Sequence, residues 1–193
     1  MGEKPEWMKY EFTGETRTIV KNNIEIVLKR IRALRNLCPT QMDGEVHKGD
    51  IGGWIESEDN LSHLDMCWVD EEAMVFEQAV VKDNAYICGN ARIEESAVVC
   101  DDACADENAV VAGKSTLANY ATVYGNAQIR GLATVDGDII IKGNTVLTSI
   151  AESDDCIKKD NEKNTISNIA KVTGFRAEID SFTEDSSSIT IYE

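Results

Sequence analysis

The feature that most constrains this chain is a six-residue repeat over residues 73–147. At every sixth position from Ala73 to Thr145, ten of the thirteen residues are alanine. Two positions further on, from Val75 to Leu147, twelve of thirteen are Val, Ile or Leu. An α-helix repeats about every 3.6 residues and a simple strand every two, so a period of six fits neither. The repeat therefore predicts a hexapeptide β-helix.

Each slot of the repeat, which reads roughly Gly/acidic, Asn, Ala, x, Val, x, has a physical role. Side chains alternate along extended backbone, so the Ala and Val slots both face the interior of a three-sided coil. Asn or Gly in the first two slots is expected to take the left-handed backbone of a tight corner. Three repeats make one coil, so about five coils from Leu61 onward would stand roughly 24 Å tall. Residues eighteen apart should stack along one corner: Asn90, Asn108, Asn126 and Asn144, with Gly125 and Gly143 beside them.

The repeat divides the chain into an N-terminal segment (1–60), the β-helix (61–150) and a C-terminal segment (151–193). Alternating apolar residues over 9–20 and 24–34 predict a small antiparallel sheet, with a hairpin turn at Lys21, Asn22 and Asn23. A helix over residues 24–37 is the alternative, because the apolar residues there also suit a helical stripe. Alternation over 166–179 and 188–192 predicts strands, so the last segment is either a C-terminal β cap or a partner-binding tail.

One run of sequence carries a family resemblance. Residues 49–62 read GDIGGWIESEDNLS and lead to Cys67, Trp68 and Val69, while residues 10–16 read YEFTGET and residues 30–34 read RIRAL. These stretches resemble an uncharacterised family of hexapeptide-repeat proteins from bacteria and their prophages. The resemblance covers residues 9–150. It implies a left-handed parallel β-helix behind a short β-rich N-terminal segment, and a role in countering host defence.

The sequence offers little material for catalysis. Many hexapeptide β-helix proteins are acyltransferases that use a histidine base and a protruding loop, but here the repeat runs uninterrupted and only His47 and His63 exist. His63 falls in the register of an inward slot, which favours a structural role. Ser115 replaces an alanine and has no neighbouring base. The six cysteines lack a C-x-x-C pair and are expected to be reduced thiols, so we expect no catalytic residue, metal or cofactor.

The net charge of −16 is concentrated in the early coils. Residues 51–107 hold fifteen acidic and two basic side chains, whereas residues 1–50 hold eight and nine. Direct nucleic-acid binding is not expected, because a phosphate backbone requires Lys and Arg. The acidic coils instead predict a basic protein partner, such as a nucleic-acid-binding protein. The candidate partner-binding residues are Glu71, Glu72, Glu77, Asp83, Glu95, Asp101, Asp102 and Glu107.

One outward face of the predicted β-helix is small and apolar, which is typical of a self-association surface in a homodimer or homotrimer. Its candidate residues are Val80, Val98, Cys100, Thr116, Ala118 and Thr134. The sequence shows neither an export signal nor an apolar run of membrane-spanning length. We therefore expect a non-enzymatic binding protein without membrane contact, in a bacterial cytoplasm or in the host cytoplasm if phage-encoded. An acyltransferase-like enzyme and a structural, polymer-forming protein are the alternatives.

Overall fold

The two inward slots of the repeat build a narrow, three-sided lumen. All thirteen residues of the series from Ala73 to Thr145, and all thirteen from Val75 to Leu147, are 0% exposed. Alanine leaves room where two faces converge, and the branched residue fills the middle of each face. The chain is thus an all-β parallel β-helix of about five coils, as the repeat predicts, and it is left-handed, as the family resemblance implies.

The computed structural model describes residue 5, residues 7–42 and 44–149, and the backbone of strands within 158–191. The N-terminal segment has three strands: β1 (Tyr10–Lys21), β2 (Ile24–Ala33) and β3 (Ile51–Ile55). A single 3-10 turn, Glu58–Asn60, leads from β3 into the solenoid. The solenoid strands are β4 (Trp68–Val69), β5 (Met74–Val75), β6 (Val80–Val81), β7 (Tyr86–Ile87), β8 (Arg92–Ile93), β9 (Val98–Val99), β10 (Cys104–Ala105), β11 (Val110–Val111), β12 (Thr116–Ala118), β13 (Thr122–Val123), β14 (Gln128–Gly131), β15 (Thr134–Ile141) and β16 (Val146–Ser149). The last four are β17 (Lys158–Asp160), β18 (Thr165–Ser167), β19 (Lys171–Ile179) and β20 (Thr190–Ile191).

Parallel pairing sorts the short strands into three flat faces. Face 1 comprises β3, β5, β8, β11, β14 and β16. Face 2 comprises β6, β9, β12 and the first half of β15. Face 3 comprises β4, β7, β10, β13 and the second half of β15. Paired residues such as Val80 and Val98 differ by eighteen, so each coil lies in register on the next.

A left-handed corner recurs every six residues without a break from Asp65 to Gly143. All fourteen corner residues have φ between 50° and 120°, and six of them are glycine. The first corner, between faces 3 and 1, holds Glu71, Gly89, Glu107, Gly125 and Gly143. The second, between faces 1 and 2, holds Glu77, Glu95, Gly113 and Gly131. The third, between faces 2 and 3, holds Asp65, Asp83, Asp101, Asn119 and Gly137.

The expectation that Asn or Gly takes the left-handed backbone holds at seven of the fourteen corners, six of them glycine. Seven corner residues are Asp or Glu, and Asn119 is the only asparagine among the fourteen. The predicted stack of asparagines stands one position later. There Asn108 Nδ2 donates to Asn126 Oδ1 at 3.3 Å, and Asn126 Nδ2 donates to Asn144 Oδ1 at 3.0 Å. The asparagines thus link coils through their amides, while the residue before each supplies the turn.

The N-terminal segment is the predicted antiparallel sheet, and the helical alternative for residues 24–37 is wrong. β1 and β2 form a hairpin whose turn residues Asn22 and Asn23 have φ of 51° and 63°. β2 pairs with β3, and β3 pairs in parallel with β5, which joins the hairpin to face 1. Gly52 of β3 lies so close to the first coil that an added Cβ would stand 2.4 Å from the Trp68 side chain.

The strands of the C-terminal segment continue the solenoid. β18 pairs in parallel with β16, and β19 pairs in parallel with β15. This arrangement agrees with the predicted β cap, because a terminal coil needs partners for its backbone groups. The remaining residues of 151–193, including Cys156, lie outside the described part of the chain.

Candidate protein-binding surface

The candidate acidic residues lie at the corners of the early coils, where the sequence places them. Glu71, Glu72 and Glu107 are at the first corner, Glu77 and Glu95 at the second, and Asp83, Asp101 and Asp102 at the third. Carboxylates at one corner are separated by one or two coils, each about 4.8 Å high. The cations and hydrogen-bond donors around these carboxylates differ strongly from corner to corner. Those differences define the candidate binding surface.

The second corner is neutralised by the hairpin. Lys21 Nζ, at the tip of β1, lies 2.8 Å from Glu77, 3.4 Å from Glu95 and 3.5 Å from Glu94. Burial disfavours the Lys21 ammonium, but the three carboxylates outweigh burial and raise its pKa above the usual value. The compensating charge at this corner thus comes from the hairpin and not from neighbouring coils.

Glu72 is also engaged by the hairpin. Arg17 and Arg30 each donate to its carboxylate, and Trp54 Nε1 donates to it at 3.2 Å. Both guanidinium groups also stack on Trp54, with Cζ 4.4 Å and 4.8 Å from the ring centroid. Burial raises the pKa of Glu72, but the three hydrogen bonds outweigh it and hold that pKa below the usual value. Glu72 thus anchors the hairpin on face 1.

Corner carboxylates have a second structural use. Glu71 accepts a hydrogen bond from the backbone N–H of Gly89 at 2.8 Å, and Glu77 accepts one from Glu95 at 2.7 Å. In the same way Asp101 accepts the N–H of Asn119 at 3.2 Å. In each pair the donor is the corner residue of the next coil. An acidic residue at a left-handed corner therefore satisfies a backbone donor one coil above.

The acidic residues of the third corner are in contact with Lys82 and with the loop after β2. Lys82 Nζ lies 2.9 Å from Asp83. From the loop after β2, the Thr40 hydroxyl donates to the Asp102 carboxylate and the Gln41 amide donates to the Asp102 backbone carbonyl. The ligand atoms of Asp83, Cys100 and Asp101 lie within 4.8 Å of one another. Burial, followed by the charge of Asp101, raises the pKa of the Cys100 thiol to about 11.

The first corner keeps carboxylates with no cationic partner. Within residues 7–42 and 44–149, no Lys or Arg forms an ion pair with Asp70, Glu71, Asp106 or Glu107. Asp70 accepts from the Tyr86 hydroxyl at 2.9 Å, and the carboxylate of Asp106 accepts the N–H of Glu107. These four residues, called here the open acidic corner, form a negative strip that the described chain does not compensate.

The six candidate residues for self-association lie together on face 2. Val80, Val98, Thr116 and Thr134 are side by side in register on β6, β9, β12 and β15. Cys100 and Ala118 beside them are 8% and 9% exposed. The hairpin covers part of face 1, and the loop after β2 bonds to Thr122 on face 3 through Gln41. Among the described residues, no N-terminal contact of that kind reaches these six.

The candidate nucleophiles and bases are held in structural contacts. His63 Nδ1 accepts the backbone N–H of Lys9 at 3.1 Å, and its ring stacks on Tyr10 with centroids 4.2 Å apart. Burial lowers the pKa of His63. Ser115 is 0% exposed and donates to the Ala112 carbonyl at 2.7 Å. The His63 contacts fit the structural role expected for that residue, and the described bond of the Ser115 hydroxyl is to a backbone carbonyl and not to a base.

The ion pairs between the cations of the hairpin and the carboxylates of the coils were not predicted from the sequence. The bonds made by Arg17, Lys21 and Arg30 join residues that are 42 to 74 positions apart in the sequence. The six-residue repeat gives no indication of contacts over such separations. The available signal was the charge balance, because the basic side chains of residues 1–50 precede the acidic stretch. Their spacing along β1 and β2, with Arg17 paired beside Leu28 and Lys21 beside Ile24, places them on one side of the hairpin.

No protein-family model matches the sequence, and no curated protein matches it significantly. In the part of the chain that the structure describes, no helix has the length and apolar character needed to cross a membrane.

Proposed function

We propose that this protein is a non-enzymatic binding protein that docks on a basic protein through the open acidic corner. The proposal rests on one observation, which is that cations of the hairpin pair with some of the corner carboxylates and not with others. The hairpin neutralises the second corner and Glu72, whereas Asp70, Glu71, Asp106 and Glu107 meet no cation among the described residues. Uncompensated carboxylates on one edge attract a basic surface and accelerate its association.

Glu107 adds weight to the proposal. It stands at a left-handed corner with φ of 56°, and glycine occupies the equivalent places one and two coils further along, at Gly125 and Gly143. A non-glycine residue in this conformation costs about 1 kcal/mol. Unlike Glu71, its carboxylate accepts no hydrogen bond from another described residue. A strained residue without an internal role is best explained by an external one.

The scaffold suits rigid recognition. Backbone hydrogen bonds such as Asn108 N to Gly125 O at 2.9 Å fix each corner to the next coil. The carboxylates are therefore held in place before binding, which lowers the entropy lost on association. The partner class that fits is a nucleic-acid-binding protein, whose basic cleft normally accepts phosphates. A host defence protein of that class is the specific form of the proposal.

The test is affinity capture from bacterial lysate with two matched variants. Glu71→Gln with Glu107→Gln removes two charges from the open acidic corner. Glu15→Gln with Glu25→Gln removes two from exposed positions on the hairpin. We expect the wild type and the hairpin variant to capture the same basic protein, and the corner variant to lose at least about 1.4 kcal/mol, which is tenfold in affinity.

The captured protein then identifies its own class. A nucleic-acid-binding protein should be released by competing duplex DNA and by raised salt, since screening weakens exposed charge pairs. Equal capture by the corner variant and the hairpin variant would refute docking through the open acidic corner.

A second candidate function, self-association through face 2, is favoured by the half-buried Val80, Val98, Thr116 and Thr134 lying in one row without a described N-terminal cover. A Thr116→Arg change should shift a dimer or trimer to monomer in light scattering across concentration. An Asn108→Arg change at the exposed first corner is the control. A wild type that scatters as a monomer at every concentration would exclude this candidate.

A further inference from the structure

The N-terminal mouth of the lumen is closed by a buried lysine that faces a buried cysteine. Cys67 occupies the small inward slot of the first coil, where later coils carry alanine. Lys9, just before β1, extends across the opening, and both side chains are 0% exposed. Lys9 Nζ lies 2.9 Å from Cys67 Sγ, 2.7 Å from the Cys67 carbonyl oxygen and 3.2 Å from the Leu64 carbonyl oxygen.

Burial shifts the pKa of both groups. Burial lowers the pKa of Lys9, with Cys67 and Asp65 opposing and Arg35 reinforcing that change. Burial likewise raises the pKa of Cys67, against the effect of Lys9. An amine with a lone pair on Nζ and a thiol with its proton on Sγ are the forms toward which burial shifts the two groups. The two atoms lie 2.9 Å apart in a site closed to solvent.

The usual oxidation partners of a thiol are missing from this site. The other hydrogen-bond acceptors of Cys67 Sγ are the carbonyl oxygens of Ser62, Leu64 and Val81 at 3.7 to 3.9 Å, and none of its bonds within the described residues is to a cysteine. A disulfide is therefore not available within the described chain, and complete burial excludes glutathione and other bulky thiols. Only a small oxidant such as molecular oxygen fits, and the nearest group able to share the oxidation is the Lys9 amine.

We propose that Lys9 and Cys67 form an oxidation site at which molecular oxygen joins Nζ to Sγ through one bridging oxygen atom. One Nζ–O bond and one O–Sγ bond form, while the S–H bond and one N–H bond break. The two hydrogens leave with the second oxygen atom as water. Nitrogen and sulfur each lose two electrons, and the oxygen molecule gains these four. The 2.9 Å separation is one that two single bonds through an oxygen atom span with little movement.

The bridge would link residues 58 positions apart and fasten the start of β1 to the first coil. Closing a long loop covalently lowers the entropy of the unfolded chain, so the oxidised protein should be the more stable form. The site would thereby couple the attachment of the N-terminal sheet to the oxidation state of its surroundings.

The experiment compares protein purified without oxygen with the same protein exposed to air, by intact mass and by peptide mapping. Wild type should gain about 14 Da, the mass of one oxygen less two hydrogens, and yield a peptide pair linking residues 9 and 67. Reduction with dithiothreitol should remove both signals and lower Tm to that of the oxygen-free sample.

Two variants control the assignment. Cys67→Ala, which places in the first coil the residue used by later coils, should fold and never gain the bridge mass. Lys82→Met, which changes the lysine beside Asp83 on face 2, should behave as the wild type. Air-exposed wild type without a linked peptide pair would overturn the proposal. So would oxygen addition to Cys67 alone, or the same mass gain in Cys67→Ala.

Discussion

Acidic residues at the left-handed corners serve two opposing needs. An acidic residue in this conformation strains the backbone and lowers the stability of the fold relative to glycine. Glu71 and Glu77 offset part of that loss by accepting a hydrogen bond from the corner N–H of the next coil. Glu107 lacks that contact among the described residues, so its strain is not offset. The corner residues of the later coils, such as Gly125 and Gly143, avoid the strain altogether.

Replacing Glu107 with glycine should therefore stabilise the fold by about 1 kcal/mol, because the left-handed corner is unstrained for glycine. Denaturation with urea, followed by circular dichroism, measures the change. Glu71→Gly is the matched comparison. It relieves the same strain but abandons the N–H of Gly89, so its gain should be smaller or absent. Equal gains in the two variants would show that the carboxylate contact contributes nothing.

The hairpin acts as a clamp on face 1 and the second corner. Its apolar side packs Ile26 and Leu28 against Trp54 and Phe76, all four buried. Its cations meet Glu72 and the carboxylates around Lys21. Burial supplies most of the stability of such an element, and the ion pairs set its register and its dependence on pH.

Glu72 gives the hairpin a specific acid sensitivity. Its pKa is depressed in the folded protein, so its stabilising effect is complete above the unfolded pKa of about 4.3. The effect is lost as pH falls through the folded value. Glu72→Gln should thus destabilise the protein at neutral pH, with a difference from wild type that shrinks below about pH 4.3.

Urea denaturation at a series of pH values, followed by tryptophan fluorescence, measures that difference. Glu25→Gln, at an exposed position of β2, should show a small difference that does not follow the same profile. A Glu72→Gln difference that stayed constant down to pH 3 would contradict the role assigned to the ion pairs.

The solenoid follows from the sequence because every coil repeats the same local rule. The period predicts which side chains face inward and which face outward. It also predicts the eighteen-residue stacking and the position of the acidic residues at the corners. It does not predict contacts that cross the period. The reach of Lys21 to Glu77, and of Lys9 to Cys67, depends on how an aperiodic segment folds back over the coils. The hairpin itself was predictable from alternation, but its docking was not.

The whole molecule depends on an unbroken lumen. Ala109 is 0% exposed, and its stacked neighbours are Ala91 and Ala127, so no space or polar partner exists there for a longer side chain. Ala109→Glu should cost more than about 4 kcal/mol or abolish cooperative unfolding, since it buries an unpaired charge and overpacks the lumen. Thermal melting followed by circular dichroism measures the loss.

Asn108→Glu, which adds the same charge one residue earlier at an exposed position, should change stability by less than about 1 kcal/mol. Similar melting curves for the two variants would mean that the alternation of inward and outward side chains is wrong.

The uninterrupted eighteen-residue register also limits how this chain can grow or shrink. A duplication of eighteen residues adds one storey and leaves every later side chain above its former partner. A duplication of six residues instead rotates every later residue about the solenoid axis by one third of a turn. The row of valines and threonines on face 2 would then be split between two walls, and the negative strip would be broken at the same height. Length variants that keep binding should accordingly differ by whole storeys.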